Sequence, residues 1–341
     1  MIPEKQLQEI RELLEKSQNP LFFFDNDDDG LTSYLILKRF IKRGKGVAIK
    51  SFPDLNKSYA RKIKELKPDM IFILDKPLVD KGFFEEARLE NIPVVWIDHH
   101  PVQNVKDINY FNPLLGKPKT NEPVSYWCYK ITKKDMWLSM IGCISDWFIP
   151  DFIEEFRKTY PDLIEDKKTP DEIMYNNTQL GKLIQITNLA LRDSTTNVVE
   201  MIRVLEKTSS PYEILSEEKP YERMIEKYKQ LNKKFKKIFE KAKEEAKTAK
   251  KMIFFKYSGE NKMSSEISNK LMHFYPNKYV AVAYIQGDKA NLSLRGKNIR
   301  NYIEKALEKI DGRGGGHKDA CAASVRLENL DKFIELIKEQ I

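Results

Sequence analysis

The most distinctive chemistry in this sequence is a group of carboxylates directly after an apolar segment. Asp25, Asp27, Asp28 and Asp29 place four acids within five positions, immediately after the run LFFF at 21–24. Carboxylates this close repel one another strongly unless a cation lies among them. The run therefore predicts a metal site.

Further acids and two imidazoles follow other apolar runs. Asp75 ends the run MIFILD, and Asp98, His99 and His100 end the run VVWIDHH. Carboxylate oxygens and imidazole nitrogens are ligands for divalent cations such as Mn²⁺ and Mg²⁺. If these run ends meet at one edge of a sheet, the pattern is that of a hydrolase with two metal ions.

The segments that carry these residues have the pattern of an α/β domain. Short apolar runs alternate with amphipathic segments over the first hundred residues, which predicts a buried parallel sheet with helices on both faces. Asp25, Asp75 and Asp98 end or follow the apolar runs, and open α/β sheets place their sites at the C-terminal ends of strands. Residues 123–147 and 178–206 are interpreted as helices that continue this domain.

The second half of the chain contains a long helix and a smaller α/β pattern. Apolar positions three and four residues apart predict one helix from Tyr221 to Lys251. Its many lysines favour a solvated surface over direct contact with nucleic acid. We expect a domain at 1–208, a helical linker at 209–251 and a second domain at 252–341.

A glycine-rich segment near the C-terminus points to anion binding. Arg313, Gly314, Gly315, Gly316 and His317 lie between two well-patterned elements, which argues against a flexible linker. A glycine turn here would expose backbone N–H groups to an anion. The segment lacks the GK[ST] of a nucleoside-triphosphate loop.

Composition sets the class of partner. The chain has 341 residues with 59 Lys+Arg against 51 Asp+Glu, a formal net charge of +8. This excess favours a polyanionic partner, although Lys- and Glu-rich sequences are also common in thermophile proteins. Cys128, Cys143 and Cys321 are expected to be reduced core residues. The sequence shows no signal-peptide core and no membrane span, so we expect a cytoplasmic protein.

Taken together, these motifs resemble those of the DHH phosphoesterase family, and its RecJ-like branch in particular. The matching segments are DNDDDG, the aspartate of ILDKP, the DHH triplet, the aspartate of GCISDWFIP, and a GRGGGH similar to that of the DHHA1 domain. They extend over residues 22–325 in the family's order. The resemblance implies an N-terminal parallel-sheet DHH domain joined by a long helix to a smaller α/β DHHA1 domain.

The resemblance also implies a metal centre with two Mn²⁺ ions, or Mg²⁺ as the weaker alternative. Its ligands are implied to be Asp25 and Asp27 on one ion, Asp29, His99 and Asp146 on the other, and Asp75 between them. Asp28 is interpreted as a turn residue. Lys76, directly after Asp75, departs from the small residue or histidine that is frequent in relatives.

Two further roles come with the resemblance. His100 is implied to contact the phosphate and supply a proton, with Asp98 as the second catalytic residue. Substrate binding is implied for Ser293, Arg295, Arg313, Gly314, Gly315, Gly316 and His317. Ser293 and Arg295 alternate onto one face of a predicted strand.

The activity implied is that of an exonuclease on single-stranded DNA or RNA that releases nucleoside 5′-monophosphates, in DNA repair or replication. An oligoribonuclease or a phosphodiesterase of small phosphate compounds is an alternative with the same chemistry, although the all-aspartate first motif favours the RecJ-like branch. A replication subunit associated with the GINS complex is an alternative of another class. Members with purely structural roles lose metal ligands, whereas this sequence has all of them.

Overall fold

The computed structural model describes residues 1–51 and 53–341. Two compact units are present, Met1–Tyr228 and Lys229–Ile341, and each is described by itself.

A parallel sheet forms the centre of the first unit. Its strands are β1 (Pro20–Asp25), β2 (Lys45–Ile49), β4 (Met70–Leu74), β6 (Val94–Ile97) and β7 (Asn109–Phe111), in the order β2-β1-β4-β6-β7. All neighbours are parallel, and β3 (Asp54–Leu55) and β5 (Leu78–Val79) form a separate short pair. The predicted α/β fold with a parallel sheet is confirmed.

Helices cover both faces of this sheet. Successive strand residues point to opposite faces, and both faces are apolar. Phe22 and Phe24 join the larger core cluster, whereas Leu21 and Phe23 join a second cluster on the other face. The helices of this unit are α1 (Glu4–Lys16), α2 (Asp28–Ile41), α3 (Arg61–Leu66), α4 (Lys81–Leu89), α5 (Val124–Thr132), α6 (Met136–Ser145), α7 (Ile153–Thr159), α8 (Pro161–Ile164), α9 (Pro170–Tyr175), α10 (Gln179–Ala190), α11 (Thr195–Leu205) and α12 (Pro211–Leu215).

The segment 123–147, interpreted above as helical, forms two helices, α5 and α6. α5 ends before Lys133 and α6 begins after Asp135, and both flanking residues have a positive φ, 55° and 57°. An α-helix cannot continue through a left-handed residue, so the chain changes direction here. At its other end, the N-terminus of α5 contacts the acidic segment of α2.

One long helix, α13 (Glu222–Thr248), begins in the first unit and contains the boundary between the two units. This boundary lies inside the segment expected to link two domains. Met224, Leu231, Ala242 and Ala246 are buried along the helix, at the spacing that predicted it.

The second unit contains a mixed sheet. Its strands are β8 (Met252–Ser258), β9 (Tyr279–Gln286), β10 (Lys289–Arg295), β11 (Gly312–Gly316) and β12 (Ala320–Arg326), and its helices are α14 (Ser264–Phe274), α15 (Ile299–Leu307) and α16 (Leu330–Lys338). The strand order is β11-β12-β10-β9-β8. β8 and β9 are parallel, and the other neighbours are antiparallel.

The expectation of a glycine turn at Gly314–Gly316 is wrong in its local structure. These glycines belong to β11, an edge strand paired with β12, and the connection to β12 lies at residues 317–319. Side chains would crowd this strand, because a Cβ at Gly314 would lie 3.0 Å from the Ala322 carbonyl oxygen and 3.1 Å from Leu307 Cδ1. Gly314 thus allows the strand to pack against β12 and α15.

Cys128, Cys143 and Cys321 are buried and free, as the sequence predicted. Within residues 1–51 and 53–341, none of the helices has the combination of length and apolar character that crossing a membrane requires.

Candidate active site

The register of the parallel sheet places three of the predicted acids at one edge. Leu74 is aligned with Phe24 on one side and with Ile97 on the other. Asp25 ends β1, and Asp75 and Asp98 are the residues directly after β4 and β6. Because the strands are parallel, their C-terminal ends meet, and the carboxylates converge there.

The acidic segment is held by the start of α2. Asp27 is the N-cap of this helix and accepts a hydrogen bond from the Gly30 N–H at 2.9 Å. Asp29 is buried and accepts from the Val124 and Ser125 N–H groups at 2.8 and 2.9 Å. These two donors are at the N-terminus of α5, where unpaired N–H groups and the helix dipole favour an anion.

Gly30 allows this arrangement. A Cβ at this position would lie 2.4 Å from the Asp25 carbonyl oxygen. Only a residue without a side chain lets the first turn of α2 approach the end of β1 this closely.

Asp28 turns away from the other acids. Its carboxylate accepts from the Thr187 hydroxyl and from Asn188 Nδ2 at 3.0 Å, both on α10. Burial raises the pKa of Asp28 to about 6, with these hydrogen bonds acting in the opposite direction. The side chain connects α2 to α10.

The imidazole of His99 lies between two carboxylates. His99 Nε2 is 3.4 Å from Asp75 Oδ1 and 3.4 Å from Asp146 Oδ2. Two sets of possible ligand atoms within 4.8 Å of one another occur among the described residues, namely Asp29, His99 and Asp146, and Asp75, His99 and His100. The residues implied for one ion are thus already assembled.

Asp75 is the most constrained residue of the group. It has a φ of 56°, an uncommon conformation for a residue other than glycine, and is 1% exposed. Its buried Oδ1 makes no hydrogen bond within the described residues. Burial, and then the charges of Asp27 and Asp29, raise its pKa well above the ordinary range.

The donor set fits a divalent cation. A buried carboxylate oxygen without a hydrogen bond needs a positive partner, and Asp75 lies among other acids that make its ionisation still less favourable. Loss of hydration around the carboxyl group, followed by the charge of Asp25, raises the pKa of Asp27 to about 8, although part of this residue is open to solvent. Mixed carboxylate and imidazole donors suit manganese.

His100 forms a pair with Asp98 beside these acids. Asp98 is fully buried, and its Oδ1 is 2.8 Å from His100 Nδ1. Asn112 Nδ2 also donates to Asp98, at 3.3 Å, and to the His100 carbonyl oxygen at 2.9 Å. Burial opposes the charged form of His100, but the hydrogen bond and charge of Asp98 outweigh it and raise the pKa of the imidazole.

A buried lysine also contacts the acidic cluster, through Asp25. Lys76 is 0% exposed, and its Nζ donates to Asp25 Oδ1 at 2.9 Å and to the Ser51 carbonyl oxygen at 2.7 Å. The sequence singled this residue out only as a departure after Asp75. Nothing in its local pattern predicts that the ammonium reaches a carboxylate on the neighbouring strand.

Asn112 is the other residue that sequence reasoning missed. It follows β7 directly, and it is buried. The signal was present, since a polar residue after a short strand of a parallel sheet lies at the same edge as the acids. The strand NYF is too short to stand out in the sequence.

The second unit brings several of the predicted substrate-binding residues to one end of its sheet. Arg295 on β10 and Gly316 on β11 flank the start of β12, where they are aligned with Ala320 and Cys321. Arg313 and His317 are exposed. His317 directly follows β11 at this end, whereas Arg313 is aligned with Ser324, towards the other end of β12.

Ser293 and Arg295 face the beginning of α14. The Ser293 hydroxyl donates to Ser264 Oγ at 3.1 Å. Arg295 donates to Asn269 Oδ1 at 2.6 Å and to Ser265 Oγ at 3.1 Å. A guanidinium held by neutral groups next to a helix N-terminus forms a suitable environment for an anion.

The fold that these two units define is the DHH/DHHA1 fold of RecJ-like proteins. The DHHA1 domain family matches residues 248–341. An exonuclease RecJ bound to manganese is similar in structure, with 16% identity, a TM-score of 0.68, and coverage of 99% of this chain and 95% of that chain.

Two other solved structures share the fold. RecJ of Thermus thermophilus in complex with Mn²⁺ has 15% identity, a TM-score of 0.67, and coverage of 99% of this chain and 55% of that chain, so this chain spans about half of that RecJ. A pGpG-specific phosphodiesterase from Vibrio cholerae has 15% identity, a TM-score of 0.52, and coverage of 94% and 98%. Among curated proteins, none matches the sequence significantly.

Proposed function

We propose that this chain is a metal-dependent phosphodiesterase that degrades single-stranded nucleic acid from an end and releases nucleoside 5′-monophosphates. The observation that carries the proposal is the convergence of buried carboxylates and two histidines at one sheet edge, with a buried Asp75 oxygen that no described residue satisfies. Two RecJ structures with this fold contain manganese, which supports Mn²⁺ as the cofactor, with Mg²⁺ as the alternative.

The first unit would hold the cofactor. We assign the ligands of two Mn²⁺ ions as Asp25 and Asp27, then Asp29, His99 and Asp146, with Asp75 shared between the ions. Divalent ions at these positions would neutralise charge on the phosphate and lower the pKa of a water molecule.

The groups that the chain itself contributes to catalysis are His100 and Asp98. Asp98 binds Nδ1 of His100 and so leaves Nε2 for the substrate. The raised pKa keeps the imidazole protonated to higher pH, so it can donate a hydrogen bond to a phosphate oxygen or a proton to the leaving group.

We assign substrate binding to residues 252–341. The metal ions would be bound by a domain at 1–208, and residues 209–251 would link the two. The binding groups are Ser293, Arg295, Arg313, Gly314, Gly315, Gly316 and His317. As part of an edge strand, the glycines present backbone groups on the side that β12 does not pair. We therefore propose that the anion binds at the end of strand β11 and not at the glycine turn that the sequence predicted.

A second candidate is a phosphodiesterase of short oligonucleotides or small phosphate compounds. The structural similarity to a phosphodiesterase specific for pGpG favours it, since the two chains cover each other almost completely. The net charge of +8 favours the longer strand. Membership of a replication complex such as one with GINS is compatible with either activity.

The test is to incubate the purified chain with single-stranded DNA and RNA of roughly 20 nucleotides, labelled at either end, and with pGpG, in Mn²⁺, Mg²⁺ or EDTA. We expect mononucleotides from the strands in Mn²⁺ and no reaction in EDTA. Asp75→Asn, purified in parallel, controls for contaminating nucleases. Undiminished cleavage in EDTA, or no cleavage with either ion, would contradict the proposal.

A further inference from the structure

Lys76 is a fully buried charged residue of the site that the proposed chemistry does not use. A fully buried ammonium requires a compensating charge or several hydrogen bonds. Lys76 Nζ has the Asp25 carboxylate at 2.9 Å and the Ser51 carbonyl oxygen at 2.7 Å. Asp25 Oδ1 also accepts from the Asn26 N–H at 2.8 Å, so this oxygen already has two donors.

The formal charges of the site explain why a lysine is tolerated here. The five assigned carboxylates carry −5, and two divalent ions carry +4. The Lys76 ammonium supplies the remaining +1. Without it, a site with two ions would retain a net negative charge before any water or substrate bound.

The two proposed ion positions differ in their surroundings, because only one of them has the Lys76 ammonium next to a ligand. Asp29, His99 and Asp146 have their ligand atoms together, and Asp29 is held by two backbone N–H groups. Asp25 and Asp27 belong to neither of the two assembled sets, and Asp25 has one oxygen bound by Lys76. A divalent ion at Asp25 meets a positive charge next to its own ligand.

We propose that Lys76 is a built-in counter-ion that competes with the ion held by Asp25 and Asp27, so that the chain binds two Mn²⁺ ions with unequal affinity, the weaker at Asp25. The inference rests on the proposed function for its ligand assignment. The competing explanation is that Lys76 only anchors the chain at Ser51. In that case its removal would loosen the fold and weaken both ions.

The test measures metal binding without turnover. Free Mn²⁺ is followed by its electron paramagnetic resonance signal during titration of the metal-free protein. We expect two classes of site in the wild type. In Lys76→Met the weaker class should bind at least about tenfold more tightly, because one nearby positive charge is gone, and the tighter class should change much less.

Three variants make the result specific. Lys38→Met removes a half-buried lysine of the same unit that donates to the Gly44 carbonyl oxygen, and it should leave both classes unchanged. Lys76→Gln provides a second neutral side chain if the methionine variant does not fold, which thermal unfolding in EDTA reveals. Asp25→Asn combined with Lys76→Met should show no gain, because the ligand is lost.

The outcomes separate the two proposals. If the wild type binds no Mn²⁺, the proposed function fails and the competition fails with it. If the wild type binds two ions but neutral variants leave the weaker class within about twofold, or weaken both classes, only the role of Lys76 is overturned. Equal affinities in the wild type overturn it as well.

Discussion

Single residues in this site are held in states that they would avoid elsewhere. Asp75 combines a left-handed backbone, almost complete burial and a pKa raised by burial and by neighbouring acids. Strained and electrostatically unfavourable residues persist where the surrounding structure imposes them, and they concentrate at functional sites. The amount by which Asp75 lowers the free energy of unfolding of the metal-free protein can be measured.

We expect Asp75→Asn to reduce hydrolysis of a single strand by at least about a thousandfold, because a shared metal ligand is lost. Asparagine adopts the left-handed region readily and has nearly the same shape, so the fold should persist. The metal-free variant should be more stable than the wild type, since a buried carboxylate among like charges is gone. Turnover and thermal unfolding in EDTA measure the two effects, and retention of more than about a tenth of the turnover contradicts the assignment.

Asp98 should act through His100. In the wild type, activity that needs protonated His100 falls as the pH rises through its raised pKa. In Asp98→Asn the pKa of His100 should drop, so this fall should begin at lower pH, while the Mn²⁺ content stays at the wild-type value. Tyr110→Phe removes a hydroxyl that contacts Asp98 at 3.4 Å and accepts from Asn112 Nδ2 at 3.0 Å, and it should shift the profile less because Asp98 keeps its contact with His100. An unchanged profile together with lost metal would place Asp98 in the ligand set instead.

At the scale of elements, one helix N-terminus holds an anionic side chain, and we propose that a second binds the substrate. α5 presents its first N–H groups to Asp29, and α14 begins beside Ser293 and Arg295. The first arrangement fixes a side chain of the protein. The second is the one that we assign to the substrate.

Arg295→Ala should weaken binding of a single strand by about tenfold or more, since a charge-assisted contact to phosphate is removed. The Mn²⁺ content should be unaffected, because the substitution lies in the second unit. Arg326→Ala, at the far end of β12 from Arg295, is the matched control and should bind nearly as the wild type does. Loss of an ion in Arg295→Ala, measured by metal analysis, would refute the division of labour.

At the scale of the whole molecule, the carboxylates make stability depend on pH in an unusual direction. The pKa of Asp28 is raised to about 6, that of Asp27 to about 8, and that of Asp75 is raised too, against an ordinary value of 3.8. The folded protein therefore binds more protons than the unfolded chain between these values, and its stability falls as the pH rises.

In EDTA, we expect the free energy of unfolding to decrease from about pH 4 towards pH 8, by on the order of 3 kcal/mol from the buried Asp28 alone. Mn²⁺ should remove the part of the loss that comes from Asp27 and Asp75, whose carboxylates it would neutralise, and leave the part that comes from Asp28. Denaturant unfolding at several pH values, with and without Mn²⁺, measures both. A metal-free protein that becomes more stable with rising pH would contradict the prediction.

The net charge of +8 is also a property of the whole molecule. If several lysines and arginines contact phosphates beyond the cleaved one, binding to a strand of roughly 20 nucleotides should fall with salt by about 0.7 log units per log unit for each contact. A dinucleotide has one linkage and should show a much shallower slope. Equal slopes, with faster cleavage of the dinucleotide, would favour the small-substrate phosphodiesterase.

Much of the fold follows from the sequence alone. The apolar runs before Asp25, Asp75 and Asp98 predict buried strands, and parallel strands necessarily bring their C-terminal ends together. Carboxylates in such positions therefore meet without any knowledge of packing. The long helix α13 also follows from the sequence, because apolar residues three and four positions apart fit only the periodicity of an α-helix.

Other features were decided by tertiary structure. The contact of Lys76 with Asp25 depends on which strand lies beside β4, and the burial of Asn112 depends on a strand of three residues. GRGGG became an edge strand because glycine has no side-chain pattern of its own and adopts the conformation that its neighbours β12 and α15 require. Local sequence encodes periodicity and hydrophobicity, whereas contacts between distant segments are settled only when the chain packs.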